Sequence, residues 1–100
     1  MPRLFFSARS RQDLADIWDY IASDSLRYAD AVHERIYLRC EKLIDQPGIG
    51  HRRDDVSPGL RCRNTDGYVI FYRVKPTHVG ISRIIHHSRN LPALASDDFP

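Results

Sequence analysis

Residues 60–90, LRCRNTDGYVIFYRVKPTHVGISRIIHHSRN, decide the fold. Tyr68–Val74 is the strongest segment within them, a nearly unbroken run of β-branched and aromatic side chains. Such a run suits a strand covered on both faces, so it is expected in the middle of a sheet. Before it, Leu60–Arg63 alternates, with Leu60 and Cys62 facing one way and Arg61 and Arg63 the other. Asn64–Gly67 between them reads as a hairpin connection, in which Asp66-Gly67 supplies the positive φ angles of a primed turn. Lys75–His78 turns the chain again, since Pro76 has no N–H to give a ladder. Val79–His86 is then the last strand. Simple alternation puts Val79, Ile81, Arg83 and Ile85 on one side, and Gly80, Ser82, Ile84 and His86 on the other. An arginine inside an apolar file needs a partner or solvent. Three short strands joined by two tight turns therefore end in His86, His87 and Arg89.

The residues before this stretch read as a helical layer. Arg3–Phe6 is short, apolar and aromatic, and suits a first strand. Ser7 offers an N-cap for a helix running to about Ser25. Leu14, Ile17, Trp18 and Ile21 make its apolar stripe. Asp13, Asp16 and Asp19 lie off that stripe; with no histidine among them, they read as a solvated face rather than a metal ridge. After the polar break at Ser23-Asp24-Ser25, a second helix spans about Leu26–Gln46, with Ala29, Val32, Ile36, Cys40, Leu43 and Ile44 inward. Pro47 and Gly48 stop it, and so short a break favours an antiparallel helical hairpin. Ile49–Gly59 reads as a polar, solvated loop. Residues 91–100 have no periodicity and read as an extended or loose tail behind a single domain at 1–90.

The chain has 100 residues, 42% hydrophobic and 28% charged, which fits one folded domain and excludes a disordered chain. A formal net charge of +2 does not by itself point to nucleic acid. Of the 15 basic residues, lysine occurs only at Lys42 and Lys75. An arginine bias suits planar acidic partners, and equally suits a codon preference. Cys40 and Cys62 make neither a disulfide framework nor a metal spacing, and read as buried thiols. No stretch has the length of a membrane span, and the N-terminus lacks the pattern of a signal peptide, so a cytoplasmic protein is expected.

The order strand, helix, helix, three strands, with the residues that fill it, closely resembles the ParE/RelE superfamily of toxin–antitoxin toxins, and its ParE branch in particular. The segments that carry the likeness are DLADIWDYIA (Asp13–Ala22), CEKLIDQPGIGHRR (Cys40–Arg53), PGLRCR (Pro58–Arg63), GYVIFYRV (Gly67–Val74) and ISRIIHHSRN (Ile81–Asn90). The resemblance implies an α+β fold, with a helical hairpin packed on a twisted, mostly antiparallel sheet. It implies a toxin without catalytic residues or cofactor, which binds and poisons DNA gyrase. It also implies neutralisation by a ParD-type antitoxin in a hetero-oligomer. The ending RIIHHSRN is similar to that of the ParE branch at His86 and Arg89, and departs from it at His87 and Asn90.

The sister RelE branch cleaves mRNA on the ribosome, and this sequence holds a conceivable set for that chemistry. Arg61 and Arg83 would meet phosphate, and His86 or His87 would move protons. The lack of a tyrosine after the last strand and the scarcity of lysine count against it. His86 also reads as a histidine whose ring bonds backbone at a strand end. A zinc site from His78, His86 and His87 lacks a further ligand at suitable spacing. Contact candidates for target or partner are therefore Arg61, Arg63, Arg83, His86 and Arg89, with Trp18, Tyr20 and Tyr37 on the helical layer. A partner's amphipathic helix could cover those aromatics, and direct nucleic-acid binding is not expected.

Overall fold

The computed structural model describes residues 3–88 and 98–100. Strand β1 is Arg3–Phe6, helix α1 Ala8–Ala22 and helix α2 Leu26–Asp45. A single 3-10 turn at Pro47–Ile49 leads to strand β2 at His51–Arg52. Strands β3 (Leu60–Thr65), β4 (Tyr68–Val74) and β5 (His78–His86) follow. The sheet order is β1-β5-β4-β3-β2, with β1 parallel to β5 and all other neighbours antiparallel. This is the expected α+β arrangement, with β4 at the centre.

Local chemistry accounts for the helices. Ser7 has extended backbone and its hydroxyl accepts from the Ser10 N–H, while Ser25 caps α2 by accepting from Tyr28. The apolar stripe of α2 packs with Leu14 of α1 against Ile70, Tyr72, Val79, Ile81 and Ile84. The opposite face of the sheet has its own apolar cluster of Leu60, Cys62, Val69, Phe71 and Ile85. Strand β4 feeds both cores from alternate positions, which is why its sequence shows no polar face.

Four details differ from the sequence reading. First, the hairpin is tighter: Asp66 and Gly67 have φ of 51° and 83°, as a primed turn requires, but Asn64 and Thr65 already pair with β4. Second, the Ile49–Gly59 segment contributes an edge strand, with His51 opposite Cys62 and Arg52 opposite Arg61. Third, β5 begins at His78, which pairs with Arg3, and Ser82 is an extra residue: Phe71 pairs with Arg83 while Tyr72 pairs with Ile81. That bulge inverts the alternation, so Ile84 joins Val79 and Ile81 on the helix side, and Arg83 and Ile85 face the other way. Fourth, the tail is not loose at its end. Phe99 is buried in the second core, its ring centroid 4.8 Å from that of Phe71.

The turn at Pro47–Ile49 is held by one buried phenol. Tyr72 donates to the Pro47 carbonyl at 2.7 Å and accepts from the Gly50 N–H at 3.0 Å. A Cβ on Gly50 would lie 2.5 Å from both the Cys62 carbonyl oxygen and the Tyr72 hydroxyl. Gly50→Ala is therefore expected to lose about 1–3 kcal/mol of stability, as overpacked cores do, read as a lower urea midpoint at unchanged slope.

Burial, with Glu41 adding to it, pushes the Cys40 thiol from 9.0 up to about 12. An acid whose pKa rises on folding stabilises the native state below its unfolded pKa. That contribution is lost as pH climbs through the interval between the two values. Urea titrations should give a native protein weaker at pH 10 than at pH 8 through this group, by on the order of 1 kcal/mol. Cys40→Ala should lack that component.

Candidate functional site

The ends of α1, β4 and β5 converge on a groove of about 500 Å³, lined among others by Asp16, Ile17, Tyr20, Tyr68, Arg83 and His86. Its floor is set by how β5 finishes. Strand β1 pairs with β5 only as far as Ile81. Beyond that, the first turns of α1 take over the edge. The Ser7 N–H donates to the Ile81 carbonyl and the Ser7 hydroxyl donates to the Ser82 carbonyl. Asp13 accepts from the Ile84 N–H at 3.0 Å, satisfying an edge donor.

The same carboxylate holds Arg83. Arg83 Nε and Nη2 donate to the two oxygens of Asp13 at 2.8 and 3.0 Å, a bidentate pair with side chains only 5% and 12% exposed. The bond to Asp13 raises the Arg83 pKa more than burial lowers it, so this buried guanidinium stays charged. Asp13 is thus the partner that Arg83 requires, and not a member of a solvated acidic face. The clue in the sequence was its position beside core residue Leu14, one turn before Ile17. Among three aspartates at similar spacing, that clue does not single it out.

At the rim of the groove, the His86 and His87 rings lie tilted to one another with centroids 4.6 Å apart, and His86 meets Tyr68 edge-on at 5.3 Å. His86 Nδ1 accepts from the Ser88 N–H at 3.2 Å and lies 2.6 Å from the Ser88 hydroxyl, which leaves Nε2 to carry the proton of a neutral ring. His87 Nδ1 donates to the Gly67 carbonyl at 2.7 Å, the opposite tautomer. Both rings are exposed. Burial raises the Tyr68 phenol, with the neighbouring Tyr28 and Tyr20 phenols adding to it. Tyr20 itself is 77% exposed. Tyr68 was not among the sequence candidates, because it was absorbed into a strand that looked wholly structural.

The remaining candidates lie elsewhere. Arg61 donates to the Gly50 carbonyl at 3.0 Å and sits opposite Tyr72, on the helix-side face. Arg63 is half-buried opposite Ile70 on the same face. Trp18 donates to Asp30 at 2.8 Å beside a second groove of about 460 Å³ between the helices. Tyr37 stacks on Phe6, with centroids 5.9 Å apart. Arg89 lies outside the described residues. Arg61 and Arg83 are therefore on opposite faces of the sheet, and of the two, Arg83 lines the same groove as His86. His78 stands at the other end of β5 from His86. No helix among the described residues is long and apolar enough to cross a membrane.

A small mixed sheet roofed by one helical hairpin is an arrangement also seen in solved toxin structures. A chain of the chromosomal ParDE system of P. aeruginosa superposes with a TM-score of 0.74 at 24% identity, covering 86% of this chain and 96% of that one. A chain of the RelBE2 toxin–antitoxin complex of Mycobacterium tuberculosis does so with a TM-score of 0.58 at 25% identity, covering 86% and 99%. In sequence, the family described as the ParE toxin of the type II toxin–antitoxin system parDE matches residues 4–91. Toxin ParE1 of Caulobacter vibrioides is 31% identical over 88 residues, 87% of this chain and 91% of its own length. Toxin RelE3 of the same organism is 32% identical over 79 residues, 78% and 86% respectively. The chain belongs to the ParE toxin family, within the ParE/RelE superfamily of type II toxins.

The clasp at Asp13 gives a direct test of the local structure. Asp13→Ala leaves a buried guanidinium uncompensated and should cost about 3–5 kcal/mol. Replacing both partners, as Asp13→Ala with Arg83→Met, should recover most of that loss in urea titrations, because no unpaired charge remains.

Proposed function

We propose that this chain is a toxin that acts by binding DNA gyrase, that it performs no chemistry of its own, and that a ParD-type antitoxin neutralises it in a cytoplasmic hetero-oligomer. The observation that carries the reading is the scattering of the candidate nuclease set. Cleaving RNA through the ribose 2′-hydroxyl needs proton acceptor, proton donor and cations around one phosphate. Arg61 faces the helices, and Arg83 lies on the opposite face with its charge already matched by Asp13. His86 and His87 face solvent with Tyr68 and Tyr20 nearby, a contact surface of aromatic and imidazole groups rather than a closed reaction centre.

The antitoxin half of the proposal draws support from the solved structures the chain resembles, a chromosomal ParDE system and a RelBE2 toxin–antitoxin complex. The helices also expose apolar ground at Tyr20, Leu26, Tyr28, Tyr37 and Leu38. An amphipathic partner segment is suited to cover it, and in doing so stabilises the native toxin by mass action.

The similarity to Toxin RelE3 favours a second reading, a ribosome-dependent mRNA endonuclease using Arg61, Arg83, His86 and His87. Two assays separate the readings. Purified chain added to gyrase and plasmid should accumulate cleaved DNA, and induced cells should keep intact mRNA in primer-extension maps. Unaltered gyrase activity together with discrete mRNA cuts that vanish with His86→Ala would reverse the assignment.

A further inference from the structure

The sheet face away from the helices carries a feature that toxin action as proposed above does not use. Asp98, Phe99 and Pro100 lie across it. Phe99 is 3% exposed and fills an apolar seat made by Leu60, Cys62, Val69, Phe71 and Ile85, with Val56 beside them. The backbone around that ring is gripped by arginines. Arg73 donates to the Phe99 carbonyl at 2.9 Å and to the Pro100 oxygen at 3.1 Å. The Arg73 fork is held in position by the Pro58 carbonyl at 2.7 Å and the Ser57 hydroxyl at 2.8 Å. Arg83 reaches the Asp98 carbonyl at 3.4 Å.

One aromatic pocket flanked by guanidinium donors to successive backbone oxygens is the chemistry of a peptide-binding site. Arginines beside an aromatic also suit a nucleotide, but here Arg83 is paired with Asp13 and Arg53, 6.0 Å over the Phe71 ring, is paired with Asp55. Their charges are matched by carboxylates, and the Arg73 fork is aimed at backbone carbonyls, so the face is set to read peptide oxygens rather than phosphates.

We infer that this face is a peptide-binding site occupied in cis by Asp98–Phe99–Pro100, and that a partner polypeptide enters it by displacing that strap with an extended segment anchored on one aromatic side chain. A tethered strap competes at an effective concentration on the order of millimolar, so it lowers the apparent affinity of any peptide added in trans. The strap therefore acts as a threshold, excluding weak segments and admitting those that match both pocket and fork.

The test uses a fluorescent peptide with the sequence of residues 95–100, ASDDFP, and its phenylalanine-to-alanine counterpart as control. Anisotropy titrations compare the full chain with a chain ending at residue 97. The expected result is binding to the shortened chain at least tenfold tighter than to the full chain, lost with the control peptide and with Arg73→Ala. A shortened chain that keeps its native circular dichroism yet ignores the peptide overturns the inference, and Phe99 is then only a core residue. If the shortened chain unfolds, the full chain decides. Labelled with 4-fluorophenylalanine and assigned through Phe99→Leu, its Phe99 resonance should move to the solvent position under excess peptide. A resonance that stays fixed overturns the inference equally.

Discussion

The Asp13 carboxylate governs how the two layers of this protein meet. It accepts two bonds from Arg83 and one from the Ile84 N–H. Each of those donors would be costly if left unpaired, one a charged group almost fully buried and the other a backbone group on a bare sheet edge. Because β1 reaches only to Ile81, some element has to cover the rest of β5. The first turns of α1 do so, starting at a serine that caps the helix and bonds the strand at once. The pair gains little net stability, since desolvating two charges offsets most of their attraction. What it contributes is position: it fixes α1 against the bulged stretch of β5 and leaves the groove beyond it open.

The bulge at Ser82 is the other half of that constraint. A regular β5 would put Arg83 among the residues packed on the helices, where Val32, Ile36 and Leu43 offer it no acceptor. With one extra residue, Arg83 turns to the opposite face and reaches Asp13 around the open edge, while Ile84 takes the helix-side place. The two cores are thereby kept apolar, and the buried Arg83 charge sits at the seam between them. A single inserted residue thus decides on which face Arg83 lies.

The fold was legible in the sequence wherever periodicity was long enough to average over neighbours. Both helices and the central position of β4 follow from patterns of four or more residues, and the Ser7 cap and the Asp66-Gly67 turn from residue types placed at their ends. The departures come from features only one or two residues wide. Strand β2 is a polar dipeptide whose pairing depends on β3 being in place. A bulge leaves no mark in composition, and the aromatic at Phe99 has no neighbours to form a stripe. The site was legible only in part, for a related reason. His86 and Arg83 could be named from their place on the last strand, but Asp13 and Arg73 act through partners 70 and 26 residues away in the chain. Which aspartate meets which arginine is set by the crossing of α1 over β5, and no local pattern encodes that crossing.

These constraints bear on how a domain of this size can act on something much larger than itself. Both faces of the sheet carry apolar cores, and the buried Arg83 guanidinium is matched by Asp13. At one tip the Tyr20, Tyr28 and Tyr68 phenols lie close to the paired His86 and His87 rings. Tyrosine and histidine each offer an apolar body with a polar edge, and so form contacts at low cost in side-chain entropy. Their placement on a hairpin turn, a strand end and a helix end ties that tip to the central sheet. Under the binding mode proposed above, the effect comes from how firmly such a tip holds a larger machine in one state. Such a mode asks of the fold only that a few side chains be held still, which is what the Asp13 clasp and the bulge achieve.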